Sequence, residues 1–282
     1  MGTLYVVATP IGNLDDMTPR AVDVLRSVSL IAAEDTRHTA RLLQRFEIDT
    51  PAVSYHQHNE QRRAERLLIA LAEGDVALVT DAGTPAVSDP GAVIVREALR
   101  AGHRVVPIPG PSSLIAAVSA SGLVDGPFLF QGFLPRAGEE RRSALARAAA
   151  AGVPVVLFES PNRLTRTLED LRVVFGDVEA VVARELTKIH EEVRLGTLSQ
   201  LKAHYESVEE VRGEICIVVG AGEAVEVAAA EEGGASLASR LLADGMKPSR
   251  AARELARITG LSSEQAYEIV RSVREGGRPR EQ

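Results

Sequence analysis

Residues 76–91 read Val76-Ala77-Leu78-Val79-Thr80-Asp81-Ala82-Gly83-Thr84-Pro85-Ala86-Val87-Ser88-Asp89-Pro90-Gly91, an apolar run that stops at small, acidic and turn-forming residues. Such a run without polar alternation predicts a strand covered on both faces, and therefore a parallel sheet. The same pattern recurs at Leu4–Val7, Leu30–Ala33, Val53–Tyr55 and Val105–Ile108, with helix-period stretches near 18–27, 38–46, 60–73 and 89–101. Strands alternating with helices predict an α/β fold. The pattern breaks at Ser121-Gly122-Leu123-Val124-Asp125-Gly126-Pro127, which predicts an inter-domain hinge. A second α/β series follows, with strands at Phe128–Gln131, Val153–Glu159, Ala180–Arg184 and Glu214–Val219 and helices near 139–150, 161–173 and 197–206. Residues 220–235, rich in Gly, Ala and Glu, read as a linker. Beyond them Lys247-Pro248-Ser249 opens a helix, Gly260 ends it, and Ser262 or Ser263 caps another. The expected architecture is two α/β domains, 1–122 and 127–222, followed by a helical tail, 236–282.

Composition narrows the function classes. The 282 residues are 45% hydrophobic and 25% charged, which fits globular domains and excludes disorder. A single cysteine, Cys216, excludes an internal disulfide and a thiolate-rich zinc site. No apolar stretch is long enough to span a membrane, and Met1-Gly2-Thr3-Leu4-Tyr5-Val6 lacks a signal-peptide pattern, so the expectation is a cytoplasmic protein. The net charge of −7 speaks against general coating of nucleic acid. Yet residues 236–282 hold nine basic against six acidic residues, leaving twenty-three against thirty-three elsewhere: a tail of +3 on a body of −10. Such a chain binds RNA only through local patches.

Three strand ends carry the chemistry. Ala8-Thr9-Pro10-Ile11-Gly12-Asn13-Leu14 follows the first strand, residues 80–91 follow the fourth, and Pro109-Gly110-Pro111-Ser112-Ser113 follows the fifth. Loops at strand carboxyl ends are where α/β folds bind ligands. Neither G-x-G-x-x-G at a strand end nor a P-loop is present, so an ordinary dinucleotide fold and a P-loop NTPase lose support. Each loop also has a plainer reading: a Pro/Gly turn, a cap by Ser88 or Asp89 with Pro90 opening the next helix, or an N-cap at Ser112. Asp81 suits ribose hydroxyls or an ammonium group, and the Ser112-Ser113 helix start suits a carboxylate. His56 and His58 would share a strand face, but no third ligand stands at metal spacing, so no metal is expected. Glu34, Asp35 and Arg37 read as catalytic or as an internally paired cluster. Arg136, Arg141 and Arg142 read as phosphate ligands or as solvated charges at a helix start. The tail spacing Leu255-Ala256, Gly260-Leu261, Ala266 and Ile269 fits a helix-turn-helix. Its arginines, Arg250, Arg253, Arg257, Arg271 and Arg274, either contact nucleic acid or decorate a packing appendage.

Taken together, these runs resemble the bacterial 16S ribosomal RNA cytidine 2′-O-methyltransferases of the tetrapyrrole-methylase (class III methyltransferase) superfamily. The resemblance extends through Ala33-Glu34-Asp35-Thr36-Arg37, Ser54-Tyr55-His56-Gln57-His58-Asn59-Glu60 and Gln131-Gly132-Phe133-Leu134-Pro135-Arg136. It continues in Phe158-Glu159-Ser160-Pro161-Asn162-Arg163, Ala183-Arg184-Glu185-Leu186-Thr187-Lys188 and Arg212-Gly213-Glu214.

The resemblance implies S-adenosylmethionine (SAM) held between two α/β domains, 2′-O-methylation of cytidine 1402 of 16S rRNA in the small subunit, and a homodimer. It places cofactor contacts at Pro10, Ile11, Asp81, Gly83, Thr84, Val87, Ser112, Ser113 and Leu114, and in the second half at Phe158, Leu186 and Ile215. Thr84 stands where relatives that act on tetrapyrroles carry Asp, with Asp81 as a substitute nearby. Arg163, Arg184, Glu185, Lys188 and His190 are acceptor-side candidates. Of these, Glu185 is assigned as base or orienter, with Arg184 and Lys188 holding RNA. Two alternatives remain at this point: methylation of a small tetrapyrrole, and a non-catalytic SAM-sensing helix-turn-helix regulator.

Overall fold

The computed structural model describes residues 2–57, 59–221, 235, 237–239, 241–242, 246–259 and 261–276. Its first sheet comprises β1 (Thr3–Val7), β2 (Leu30–Ala33), β3 (Ala52–Ser54), β4 (Val76–Val79) and β5 (Arg104–Ile108), in the order β3-β2-β4-β1-β5. All its pairings are parallel. The connecting helices are α1 (Pro19–Ser27), α2 (Thr36–Arg45), α3 (Glu60–Glu73) and α4 (Ala92–Arg100), and α5 (Ser113–Ser121) follows β5.

Alternation along the strands sorts the helices. Val7, Ile31, Ala33, Ala77 and Val79 face α1 and α2 through Val22, Leu25, Leu42 and Leu43. Leu4, Ala32, Val76 and Leu78 face α3 and α4 through Leu67, Leu71, Ile94 and Ala98. Both faces are therefore dry, as the unalternated run at 76–79 requires. Each fully buried Leu, Ile or Val contributes about 1.5–3 kcal/mol. Local signals agree: Thr18 Oγ1 caps α1 by accepting from the Ala21 amide at 3.2 Å, with Pro19 in the first turn.

The second sheet holds β6 (Leu129–Phe133), β7 (Val155–Glu159), β8 (Glu179–Arg184), β9 (Glu192–Thr197) and β10 (Ile215–Val219), ordered β6-β7-β10-β8-β9. Its helices are α6 (Gly138–Ala150), α7 (Leu164–Phe175) and α8 (Leu198–Ser207). A capping box formed by Thr197 and Gln200 starts α8. In the tail, α9 (Pro248–Thr259) and α10 (Ser263–Gly276) pack through Ala251, Leu255, Ala266, Ile269 and Val270. Ser262 Oγ accepts from the Gln265 amide, so Ser262 is the cap of α10.

By compactness the first unit comprises Met1–Gly122, Val182–Arg194 and Arg212–Ile217. The second comprises Leu123–Val181, Leu195–Val211 and the described residues of Val218–Gln282.

Several expectations change. Strand β9 is missing from the sequence reading because it lies at a sheet edge and buries little: Val193 and Leu195 are both exposed. His56 lies beyond the end of β3 and outside any strand, and His58 falls outside the described residues, so the shared strand face is not found. Neither Ser88 nor Asp89 caps a helix: α4 starts at Ala92 behind Gly91, whose φ of 139° and whose amide bond to Glu60 Oε1 replace the expected Pro90 start. Most of the expected 220–235 linker, Arg240, Gly260, Arg278 and Arg280 lie outside the described residues, as does the side chain of Arg257. No helix among the described residues is long and apolar enough to cross a membrane.

Candidate functional site

The site is built where β4 and β1 end side by side. Connections from these neighbours leave toward opposite faces, since α1 follows β1 and α4 follows β4, and such a divergence opens a crevice above the strand ends. The three loops are then tied together. Thr9 and Gly83 exchange backbone hydrogen bonds at 2.9 and 3.0 Å, and Thr9 Oγ1 donates to the Thr80 carbonyl at 3.1 Å. Thr84 Oγ1 donates to the Pro111 carbonyl at 3.3 Å, joining the fourth-strand loop to the fifth. Gly83 adopts φ +76°, and a Cβ there would sit 3.5 Å from Ile11 Cγ2, so the expected cofactor residues Ile11 and Gly83 are neighbours. At Gly110 a Cβ would press within 3.0 Å of Ala8 Cβ, so only glycine lets these two loops approach this closely.

Pro10 and Ile11 are buried, and Asp81, Thr84 and Val87 are half-buried. Ala86 and Ser88, flanking Val87, hold φ values of 68° and 63°, a costly conformation for residues other than glycine, of the kind that gathers at ligand clamps. Ser112 Oγ caps α5 through the Ile115 amide at 3.4 Å, and Ser113 and Leu114 form the first turn of α5 with leading amides that no intrahelical acceptor reaches. Ile215 is buried at the start of β10 and Leu186 is half-buried, both in the first unit. Phe158 lies in the second unit, near the end of β7.

A second group of the first unit surrounds residues 184–188. The Lys188 ammonium donates to Glu185 Oε1 at 2.8 Å and to Glu214 Oε2 at 3.0 Å, and the Glu214 amide donates to Glu185 Oε1 at 3.0 Å. Burial works to raise the Glu185 carboxyl, but Lys188, the Glu214 amide and Arg184 hold it below its ordinary value. Burial likewise lowers Lys188, while Glu185 and Glu214 keep it above its usual value. Arg184 pairs with Glu192 at 3.1 Å and donates to the Arg212 carbonyl. The three expected catalytic residues are thus gathered, each already engaged in a charge pair. A carboxylate held low is a weak base, which favours Glu185 as an orienter.

Gly12 connects the two groups: a Cβ on it would fall 2.4 Å from Lys188 Cγ and 2.9 Å from Thr187 Oγ1. The Lys188 stem therefore lies across the first loop. Glu185 and Thr187 have φ of 51° and 67°, and the buried Thr187 Oγ1 has no hydrogen-bond partner among the described residues.

Glu34, Asp81 and Asp89 lie in mutual electrostatic reach. Asp81 Oδ1 accepts from the Asp35 amide and Glu34 Oε2 from the Asp81 amide. Burial raises Glu34, with Asp81 adding repulsion. Burial, then Glu34, Asp81 and Glu214, push Asp89 up to about 6. Arg37 holds Asp35 far below its ordinary range. No cluster of three or more His, Cys, Asp or Glu able to hold a metal occurs among the described residues.

The arginines expected after the hinge part company. Arg142 is an exposed helix charge paired with Glu139, whereas Arg141 is buried in the second unit, bonded to Asp170, Pro135 and Thr167. Arg163 is likewise anchored, to Glu159 at 3.1 Å and to the Leu134 carbonyl at 2.7 Å. His190 is exposed. In the tail, Arg250, Arg253, Arg271 and Arg274 are exposed, with Arg271 paired to Glu268. Sequence reasoning missed Gly12, against which the Lys188 stem packs, and Thr187, whose hydroxyl lies beside that glycine. A glycine beside the buried Ile11 was the available signal for the first, and nothing local signals the second.

A family model described as Tetrapyrrole (Corrin/Porphyrin) Methylases matches residues 3–202. The chain is 46% identical over 272 residues to a Synechocystis protein named ribosomal RNA small subunit methyltransferase I, covering 95% of this chain and 97% of that one. A Xylella fastidiosa protein of the same name is 47% identical over 269 residues, covering 94% and 98%. Among solved structures, the methyltransferase CobJ matches with a TM-score of 0.60 at 21% identity, covering 78% of this chain and 95% of that one. A Thermus thermophilus uroporphyrin-III C-methyl transferase complexed with S-adenyl homocysteine matches with a TM-score of 0.54 at 21% identity, covering 80% and 100%.

Proposed function

The chain belongs to the tetrapyrrole methylase family, as a member of its ribosomal RNA small subunit methyltransferase I group, and from that premise we propose that it transfers the methyl group of SAM to a ribose 2′-hydroxyl in 16S rRNA. The cytidine at position 1402 is the acceptor that the resemblance implies. The observation that carries this reading is identity near 46% along almost the whole chain to proteins of that name, whereas CobJ and the uroporphyrin-III enzyme match at 21%. The same contrast disfavours the small-tetrapyrrole and regulator readings.

The residues present fit SAM. Gly110 leaves backbone exposed, Gly83 holds the fourth-strand loop against Thr9 and Ile11, Asp81 offers carboxylate oxygens, and the Ser113 and Leu114 amides offer donors for a carboxylate. Ile11 and Val87 supply apolar walls, with Pro10, Thr84 and Ser112 fixing the loops. Phe158, Leu186 and Ile215 remain the further contacts that the resemblance assigns. When bound, SAM supplies a methyl group on a sulfonium, a good leaving group. The protein's share is then largely positioning, which is worth up to about 7–11 kcal/mol when the acceptor is held in line. Lys188 and Arg184 offer cationic heads to flanking phosphates, and Glu185 fixes the Lys188 head through its hydrogen bond. The tail carries exposed arginines of its own, Arg250, Arg253, Arg271 and Arg274. The protein acts as a homodimer in this reading, as the resemblance implies.

The test is transfer of labelled methyl from SAM to small subunits lacking the modification, with free rRNA and a porphyrinogen in parallel. Label in the subunit RNA supports the reading. Label in the porphyrinogen alone overturns it.

A further inference from the structure

Three of the six phenylalanines, Phe130, Phe133 and Phe158, form one cluster at the ends of the parallel pair β6 and β7. The Phe130 and Phe158 rings meet edge-on at 5.1 Å, and Phe133 packs on Phe158 at 5.6 Å. Regular strand geometry would not allow this, because residues 130 and 133 would point to opposite faces. The register explains it. Phe130 stands opposite Val156, Gly132 opposite Leu157 and Phe133 opposite Phe158, so β6 carries one extra residue. Gly132, at φ 67°, absorbs that residue in a bulge and turns Phe133 to the side of Phe130.

The result is an aromatic ring backed by another ring yet 57% exposed, at the strand ends of a parallel pair. The chain just beyond it is held firmly. Arg163 donates to the Leu134 carbonyl at 2.7 Å, Arg141 donates to the Pro135 carbonyl at 3.0 Å, and both side chains are locked through Glu159 and Thr167, whose side chains are buried. Arg136, three residues past the ring, is exposed and supplies positive charge.

We propose that Phe133 is a stacking platform for an unstacked nucleobase of the RNA substrate, with Arg136 meeting a nearby phosphate. Phe158 supports the ring from behind. The inference rests on the rRNA reading above and adds to it a residue that holds a base. An exposed ring backed by a second ring, with a cation three residues along the chain, is suited to a base that has left its stack and to its phosphate. A second copy of this chain is the competing occupant, which the test separates.

The chain contains no tryptophan, so Phe133→Trp installs a single indole reporter at the platform. Its fluorescence is titrated with a short single-stranded RNA and with the same RNA made abasic throughout. Quenching by the first RNA and not by the second is expected. In parallel, Phe133→Ala raises KM for small subunits about tenfold. Phe133→Tyr restores the original KM and Phe133→Leu does not, while SAM affinity stays constant throughout. Val173→Ala, which trims an equally exposed apolar residue on α7, changes nothing. Equal quenching by both RNAs, unchanged KM in Phe133→Ala, or full rescue by Leu would overturn the proposal while leaving rRNA methylation intact. Conversion of the dimer to monomers by Phe133→Ala would assign the ring to an interface between copies and overturn it likewise. Failure of the unaltered protein to methylate small subunits would instead defeat the rRNA reading, and the platform with it.

Discussion

Replacing Arg141 by methionine should destabilise the second unit without touching the chemistry. The Arg141 side chain is 4% exposed and makes three bonds: to Asp170 at 2.8 Å, to the Pro135 carbonyl at 3.0 Å and to Thr167 Oγ1 at 2.8 Å. Methionine keeps most of the stem volume, so the cavity contribution is small and the loss is mainly polar. Breaking a buried pair from one side costs about 3–5 kcal/mol. The lower end applies here because Asp170 is 31% exposed and rehydrates, and Thr167 Oγ1 keeps its 2.7 Å bond to Glu159. About 3 kcal/mol corresponds to a fall of roughly 6 °C in melting temperature for a protein of this size. Thermal denaturation followed by circular dichroism reads the shift, with SAM binding measured below the transition. A fall under about 2 °C, or loss of RNA affinity at unchanged stability, would refute the reasoning and return Arg141 to the phosphate-binding role.

Further outcomes follow from the first unit. Asp89 holds its proton to about pH 6 in the fold but only to its ordinary value of 3.8 when unfolded, so its ionisation weakens the fold as pH rises between them. Asp89→Asn should therefore melt higher than the unaltered protein at pH 8, with the gain disappearing by about pH 4; a gain independent of pH would contradict this. Gly12→Ala should push Lys188 off the first loop and lower kcat/KM about tenfold, yet add nothing in a Lys188→Ala background; additive losses would sever the inferred link. Glu185→Gln should raise KM for small subunits with SAM affinity unchanged, and full retention of transfer would remove Glu185 from the site. Cys216, buried with its thiol pushed up to about 12, should resist alkylation in the native protein and react once in denaturant; native labelling would contradict the packing of β10.

Much of this molecule is legible residue by residue. The unalternated Val76–Val79 run announces a strand covered on both faces, and Pro/Gly-rich stretches announce the three strand-end loops that the structure ties together. What the sequence conceals is long-range. Arg141 looks like any helix-start charge until Asp170 and Thr167 arrive from α7. Strand β9 hides because an edge strand need not bury apolar residues. Phe133 lies beyond the expected Phe128–Gln131 strand, and only the one-residue register shift between Phe130 and Gly132 brings it to the side of Phe130. The Lys188 stem over Gly12 joins positions far apart in sequence, and no local pattern encodes that contact.

The most direct test of the account is nucleoside analysis of 16S rRNA after reaction with SAM and this protein. Small subunits isolated without the modification are treated, and the RNA is digested and resolved by mass spectrometry. The account predicts one new species, 2′-O-methylcytidine, with the added mass on the ribose fragment. Methyl on the base fragment, on another nucleotide, or on no RNA at all would contradict it.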